Sequence, residues 1–141
     1  MRESGTMCAM TPVLSPVWAD PQTTARLCVD SRATVPAWVA TTRDARNTGL
    51  LRTTGLDGAL LIERCGSVHT IGMQYPIDVV FLSAERRVVD VVTMRPGRIG
   101  RPRLRARSVV ELPAAAAARL GIVRGSVVTV EEVGAGLTPD S

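Results

Sequence analysis

The sequence predicts an α+β domain built on a mainly antiparallel, barrel-like sheet with two short helices. Three observations lead there. Seven or eight short apolar runs are separated by Gly, Pro and Asp punctuation. Two segments carry helix signals. Strands and helices do not alternate along the chain, which argues against a doubly wound parallel sheet. At 141 residues, one domain is the expected count. Residues 1–24 are read as a disordered N-terminal tail, 25–133 as the β-rich domain, and 134–141 as a flexible C-terminal tail.

The elements follow in order. Arg26–Val29 and Val35–Ala40 flank the turn formers Asp30 and Ser31 and suit a hairpin. Thr41 and Asp44 have capping-box spacing, so a short helix starts there and ends near Gly49. Gly58–Ile62, Ser67–Thr70 and Ile77–Leu82 are short apolar strands, the last two joined through Gly72 and Pro76. Val88–Val92 is a strand with Asp90 at its centre, and Val109–Leu112 is another. Pro113 and the five alanines after it open the best helix signal, which Arg119 and Gly121 close. Val127–Val130 is the last strand.

Composition narrows the chemistry. All 17 basic residues are arginine, so mechanisms that need a lysine amine are excluded. Every cation is a planar fork suited to carboxylate or phosphate. The net charge of +4 favours acidic partners weakly. Cys8, Cys28 and Cys65 are odd in number and far apart, which fits reduced thiols rather than a disulfide framework or a zinc site. No apolar run approaches the ~20 residues of a membrane span. Pro12, Pro16 and Trp18 break the apolar stretch near the N-terminus, so a cytoplasmic protein is expected, with export the alternative. There is no Gly-rich phosphate loop of the P-loop or dinucleotide type.

Several strings occur together in a recognisable order. They are Arg46 with Gly49-Leu50-Leu51, Gly58-Ala59-Leu60-Leu61, His69-Thr70-Ile71-Gly72-Met73 and Pro76-Ile77-Asp78-Val79-Val80-Phe81. Val110-Glu111-Leu112-Pro113, Leu120-Gly121-Ile122 and Arg124-Gly125 complete the series. On these strings the chain resembles a widespread bacterial and archaeal family of uncharacterised conserved regions, number 192 in the domain-of-unknown-function series. The likeness runs from about residue 26 to 132 and implies a compact β-rich fold with no established activity. His69–Met73 stands where the better-known form has a tryptophan-methionine-lysine-asparagine-threonine run, and looks like a His-Thr-x-Gly-Met subgroup. Ala115 holds a position often given to glycine, which argues against a left-handed backbone there. Ser126 stands where an aspartate is common, and the Phe81–Val88 hairpin lacks the expected glycine.

Two constellations are candidates for function. His69, Asp78 and Glu111 are polar residues set in or beside the strand signals. His69 oriented by Asp78 would make a general base or a small-ligand site. The plainer reading has Asp78 satisfying backbone N–H groups while His69 packs as a ring. One histidine is too few for the common zinc sites, so no metal and no cofactor are expected. Cys65, four residues before His69, would lie ~13 Å away along an extended strand. The second constellation is Arg95, Arg98, Arg101, Arg103, Arg105 and Arg107, six arginines in thirteen residues. Extended, the last four project on one face and form an anion footprint. A solvated, aggregation-resistant edge is the plainer reading. Aromatic residues do not interleave these arginines, which makes nucleic acid the lesser partner. The function expected from sequence is thus a non-enzymatic binding or accessory module that contacts an acidic protein or anionic ligand through the arginine segment.

Overall fold

A Val/Ile/Leu-rich strand flanked on both sides by other strands must bury both faces, and the centre of this molecule is built on three of them. The computed structural model describes residues 12–20 and 25–132. Strands β1 (Ala25–Val29) and β2 (Arg32–Ala40) lead through helix α1 (Arg43–Thr48) to β3 (Ala59–Glu63). Then come β4 (Ile77–Leu82), β5 (Val88–Met94), β6 (Ser108–Pro113), helix α2 (Ala116–Arg119) and β7 (Val128–Glu132). The strands form one sheet in the order β5-β4-β6-β3-β2-β1-β7. Among the described residues only β2 and β3 run parallel; every other pairing is antiparallel. An isolated Arg87–Val127 bridge joins the two edge strands at one end. The sheet therefore curls without closing into a true barrel.

Residue alternation divides the core between the two faces. Leu61 of β3, Val80 and Leu82 of β4, and Val110 and Leu112 of β6 meet Leu27, Val128 and the alanines of α2 on one face. Leu60, Ile62, Ile77, Val79, Phe81 and Val109 point the other way, under Leu50, Val68 and Ala45 of α1. Because both faces are covered, these strands read as continuous apolar runs.

Local chemistry explains most boundaries. Asp30 and Ser31 both take positive φ, 49° and 71°, as a two-residue hairpin turn requires. Gly58, at φ 140°, immediately precedes β3, where an added Cβ would meet the Pro36 carbonyl oxygen at 2.4 Å. Helix α1 is capped one residue later than the spacing predicts: Thr42 Oγ1, not Thr41, accepts the Ala45 N–H at 3.1 Å.

Three expectations need correction. Ser67–Thr70 is not a strand; it contributes a single His69–Ile99 bridge and hydrogen-bonds to the loop that follows β5. Pro113 ends β6 rather than starting a helix, and α2 keeps only four residues. Ala115 does adopt the left-handed conformation, φ 73°, that an alanine disfavours. The signal at the far end of α2 holds. Gly121 N–H donates to Ala118 and Ile122 N–H to Ala117, the paired bonds of a Schellman ending.

The two other departures from the family pattern have substitutes. Arg86 takes the left-handed place in the β4–β5 hairpin, φ 65°, and is anchored to Ser108 Oγ at 2.7 Å and Glu63 at 3.2 Å. Ser126 Oγ accepts the Val123 N–H at 3.1 Å. Much of the tail expected over 1–24 lies outside the described residues. Its described part, 12–20, hydrogen-bonds to the body: Thr54 N–H and Asp57 N–H donate to Val13 and Leu14, and Trp18 Nε1–H to Gly49 O at 2.9 Å. The expected C-terminal tail also lies outside the described residues.

Candidate functional site

Glu111 lies in the middle of β6, opposite Leu60 on β3 and Val79 on β4. Its side chain therefore belongs to the face covered by α1. It is 6% exposed, and among the described residues it has no hydrogen-bond or ion-pair partner. Burial pushes its carboxyl up to about 7. Above it is a cleft of about 90 Å³, lined by Arg46, Cys65, His69, Met73, Ile77 and Glu111 among others. The end of α1 and the turn after it, Asn47–Leu51, form one wall, and the 65–73 loop forms the other.

The sheet separates His69 from Asp78. Asp78 is adjacent in sequence to the cleft-lining Ile77, so it points to the opposite face. It is 3% exposed and fully engaged there: Thr93 Oγ1 donates to it at 2.7 Å and the Ala117 N–H at 3.0 Å. The predicted pairing of His69 with Asp78 is thus not formed, and Asp78 anchors α2 to the sheet. His69 is exposed and lines the cleft with Glu111. Glu111 was visible as a lone acid in Val-Val-Glu-Leu-Pro, yet sequence gave no reason to prefer it to Asp78.

Cys65 also lines the cleft, despite the separation expected for a strand. The backbone turns at Arg64, φ 55°, and bends at Gly66, so residues 65–69 are not one extended strand. Burial pushes the Cys65 thiol up, with the Glu111 charge adding to it, and its S–H donates to Ser67 O at 3.0 Å. A reactive thiolate is disfavoured there. Tyr75 is raised for the same reason, chiefly by burial, while its hydroxyl bonds Thr53 Oγ1 at 2.6 Å. Among the described residues no three His, Cys, Asp or Glu side chains are grouped to hold a metal ion.

The arginine segment is a loop rather than a strand, so its charges do not share one pleated face. Thr70 ties it down: its Oγ1 donates to Arg95 O at 2.5 Å and accepts the Arg98 N–H at 2.9 Å. Arg103 belongs to the fold. Its guanidinium makes a fork to Asp90 Oδ2 at 2.9 and 3.1 Å and stacks 4.4 Å from the Phe81 ring centroid. Burial would raise the Asp90 carboxyl, but hydrogen bonds from Arg103, Arg124 and the Val91 N–H hold it below its ordinary value. Arg107 spends its fork on the Leu104 and Ala106 carbonyls. Arg95, Arg98, Arg101 and Arg105 are exposed, with no side-chain partner among the described residues. Arg95, Arg98 and Arg101 border one groove, and Arg105 and Arg107 a second.

This architecture matches known proteins. Residues 25–130 fit the model of the domain-of-unknown-function family 192, described as an uncharacterized ACR, and the chain belongs to that family. A UPF0127 protein of Pyrococcus horikoshii is 49% identical over 47 residues, 33% of this chain and 41% of the relative. A UPF0127 protein of Pyrococcus abyssi is 47% identical over 47 residues, 33% of this chain and 40% of the relative. The match thus spans about two fifths of these curated relatives. A solved protein of unknown function from Novosphingobium aromaticivorans superposes with a TM-score of 0.68 at 22% identity, covering 86% of this chain and 94% of its own. A Sinorhizobium meliloti protein given as a candidate transcription regulator superposes at 0.51 and 18% identity, covering 75% and 91%. At these identities the likeness is one of fold. No helix among the described residues is long and apolar enough to cross a membrane.

Proposed function

We propose that this member of the family is a non-enzymatic binding module whose ligand site is the cleft over Glu111. The observation that carries the reading is a buried carboxyl with no hydrogen-bond or ion-pair partner among the described residues. Such a group costs several kcal/mol unless something pairs with it. A module without a ligand gains nothing from keeping it, because leucine would fill the same place. Asp78 shows that this fold satisfies a buried acid when the acid is structural. The small volume of the cleft limits the occupant to a small molecule or the end of a chain.

The test is an amide-resolved NMR screen of small fragments against the wild type and Glu111→Leu. Fragments that shift the amides of Arg46–Leu51 and Cys65–Met73, and lose this effect in the variant, support the reading. Fragments that bind elsewhere, or bind both proteins equally, overturn it.

The exposed arginines favour a second reading, docking of an acidic protein segment on the loop. Four of the six, Arg95, Arg98, Arg101 and Arg105, have no side-chain partner among the described residues, and the loop is held in place by Thr70. Changing Arg101 and Arg105 to serine is expected to weaken binding of a poly-glutamate peptide and flatten its salt dependence. Equal binding by both proteins would remove the loop from consideration. Tighter binding of single-stranded DNA than of the peptide would point to nucleic acid instead.

A further inference from the structure

Resting on the cleft reading above, we propose that the ligand is a small zwitterion with its ammonium on Glu111 and its carboxylate toward Arg46. Glu111 is the buried acid of the cleft lining, and no cation among the described residues pairs with it. Arg46 lines the cleft without reaching that carboxyl; its guanidinium donates instead to the Thr41 carbonyl at 2.6 Å. The positive complement of Glu111 must therefore come from the ligand. An ammonium supplies three donors and a full charge, and hydrogen bonds between ionised groups are about twice as strong as neutral ones.

The apolar part of the lining includes Leu50, Ile62, Met73 and Ile77. That suits a short aliphatic body. The guanidinium of Arg46 retains N–H groups beyond its bond to Thr41, and a planar fork fits a carboxylate. A purely anionic ligand meets the Glu111 charge at its inner end. A purely cationic one leaves Arg46 unused.

Binding also moves a proton. Where Glu111 is protonated before binding, the ammonium takes the proton's place on the carboxylate and the proton passes to solvent. The other groups that face Glu111 are Cys65 and Tyr75, both raised and neutral near pH 7, Arg46, a constant cation, and His69 across the cleft. Imidazoles as a class change charge in this range, so the experiment is repeated in His69→Gln.

The experiment is calorimetric titration of n-butylamine, butyrate and 2-aminobutyrate into the wild type, Glu111→Gln and Arg46→Gln, at pH 6 and pH 8. The expected order is 2-aminobutyrate first, butylamine second, and butyrate without binding. Affinity for both amines should rise about tenfold from pH 6 to pH 8, following ionisation of one group near 7. Glu111→Gln should remove that rise and weaken both amines at least tenfold. Arg46→Gln should reduce 2-aminobutyrate to the level of butylamine and leave butylamine unchanged. Unaltered amide spectra confirm that the variants fold. Butyrate binding above the amines, or amine affinity independent of pH in the wild type, overturns the zwitterion. If the fragment screen still places neutral or anionic compounds on Glu111, the cleft reading survives that failure. If neither these probes nor any fragment binds there, both fall.

Discussion

Asp78 and Glu111 are both acids buried within the same three-strand centre, and the fold treats them in opposite ways. Asp78 accepts from Thr93 Oγ1 and from the Ala117 N–H, which ties β4 to β5 and α2. Glu111, on the other face of the neighbouring strand, has no such partner among the described residues and borders a cleft. Burial is nearly the same, 3% and 6%, so burial does not distinguish them. Satisfaction does. One carboxyl is used up by the fold, and the other is left available.

The comparison breaks most visibly if Asp78 is dispensable. Asp78→Ala leaves the buried Ala117 N–H without its acceptor, while the exposed Thr93 hydroxyl turns to water, and should cost about 3 kcal/mol in urea unfolding. A loss below about 1 kcal/mol would mean that α2 does not depend on it.

Glu111 should behave in the reverse sense through pH. Its carboxyl rises from 4.5 to about 7 in the fold. Between those values the folded chain keeps a proton that the unfolded chain has released, so stability falls as pH rises through the window. The loss should total about 3 kcal/mol by pH 8 and vanish in Glu111→Gln. Glu111→Leu should match the wild type at pH 5 and exceed it by about 2 kcal/mol at pH 8. A wild type equally stable at pH 5 and pH 8 would contradict the picture of an unsatisfied acid.

A smaller effect sharpens the Asp78 side. Ala115 holds a left-handed backbone, φ 73°, at the entry to α2, the turn that presents the Ala117 N–H to Asp78. Ala115→Gly should gain about 1 kcal/mol, measured by thermal unfolding. The smallest effect belongs to the arginine loop. Arg101→Ser and Arg105→Ser should each change stability by less than about 0.5 kcal/mol, whereas Arg103→Ser should cost about 2 kcal/mol through Asp90 and Phe81.

Much of this was legible in order and type. The hairpin at Asp30 and Ser31, the strands Ile77–Leu82 and Val88–Val92 (the latter running on to Met94), and the ending at Gly121 follow from local chemistry that a neighbour does not alter. Ser67–Thr70 misled because its one buried apolar residue, Val68, also fits a loop covering the core. Pro113 and the alanines misled because helix propensity is a weak prior against the pairing of β6 with β4. The arginine alternation misled because it presupposes a strand, while Thr70 holds the segment as a loop.

What the sequence by itself determined was the β-rich class, the family, and which few polar residues sit inside apolar strands. Those are properties of composition and period, and they are carried by each segment alone. Tertiary structure decided which buried acid has partners, since that depends on strand order and on the parity that sends Asp78 and Glu111 to opposite faces. It also brought Cys65, His69 and Arg46 to one cleft, through a turn at Arg64 and a sheet pairing that joins residues far apart in the chain.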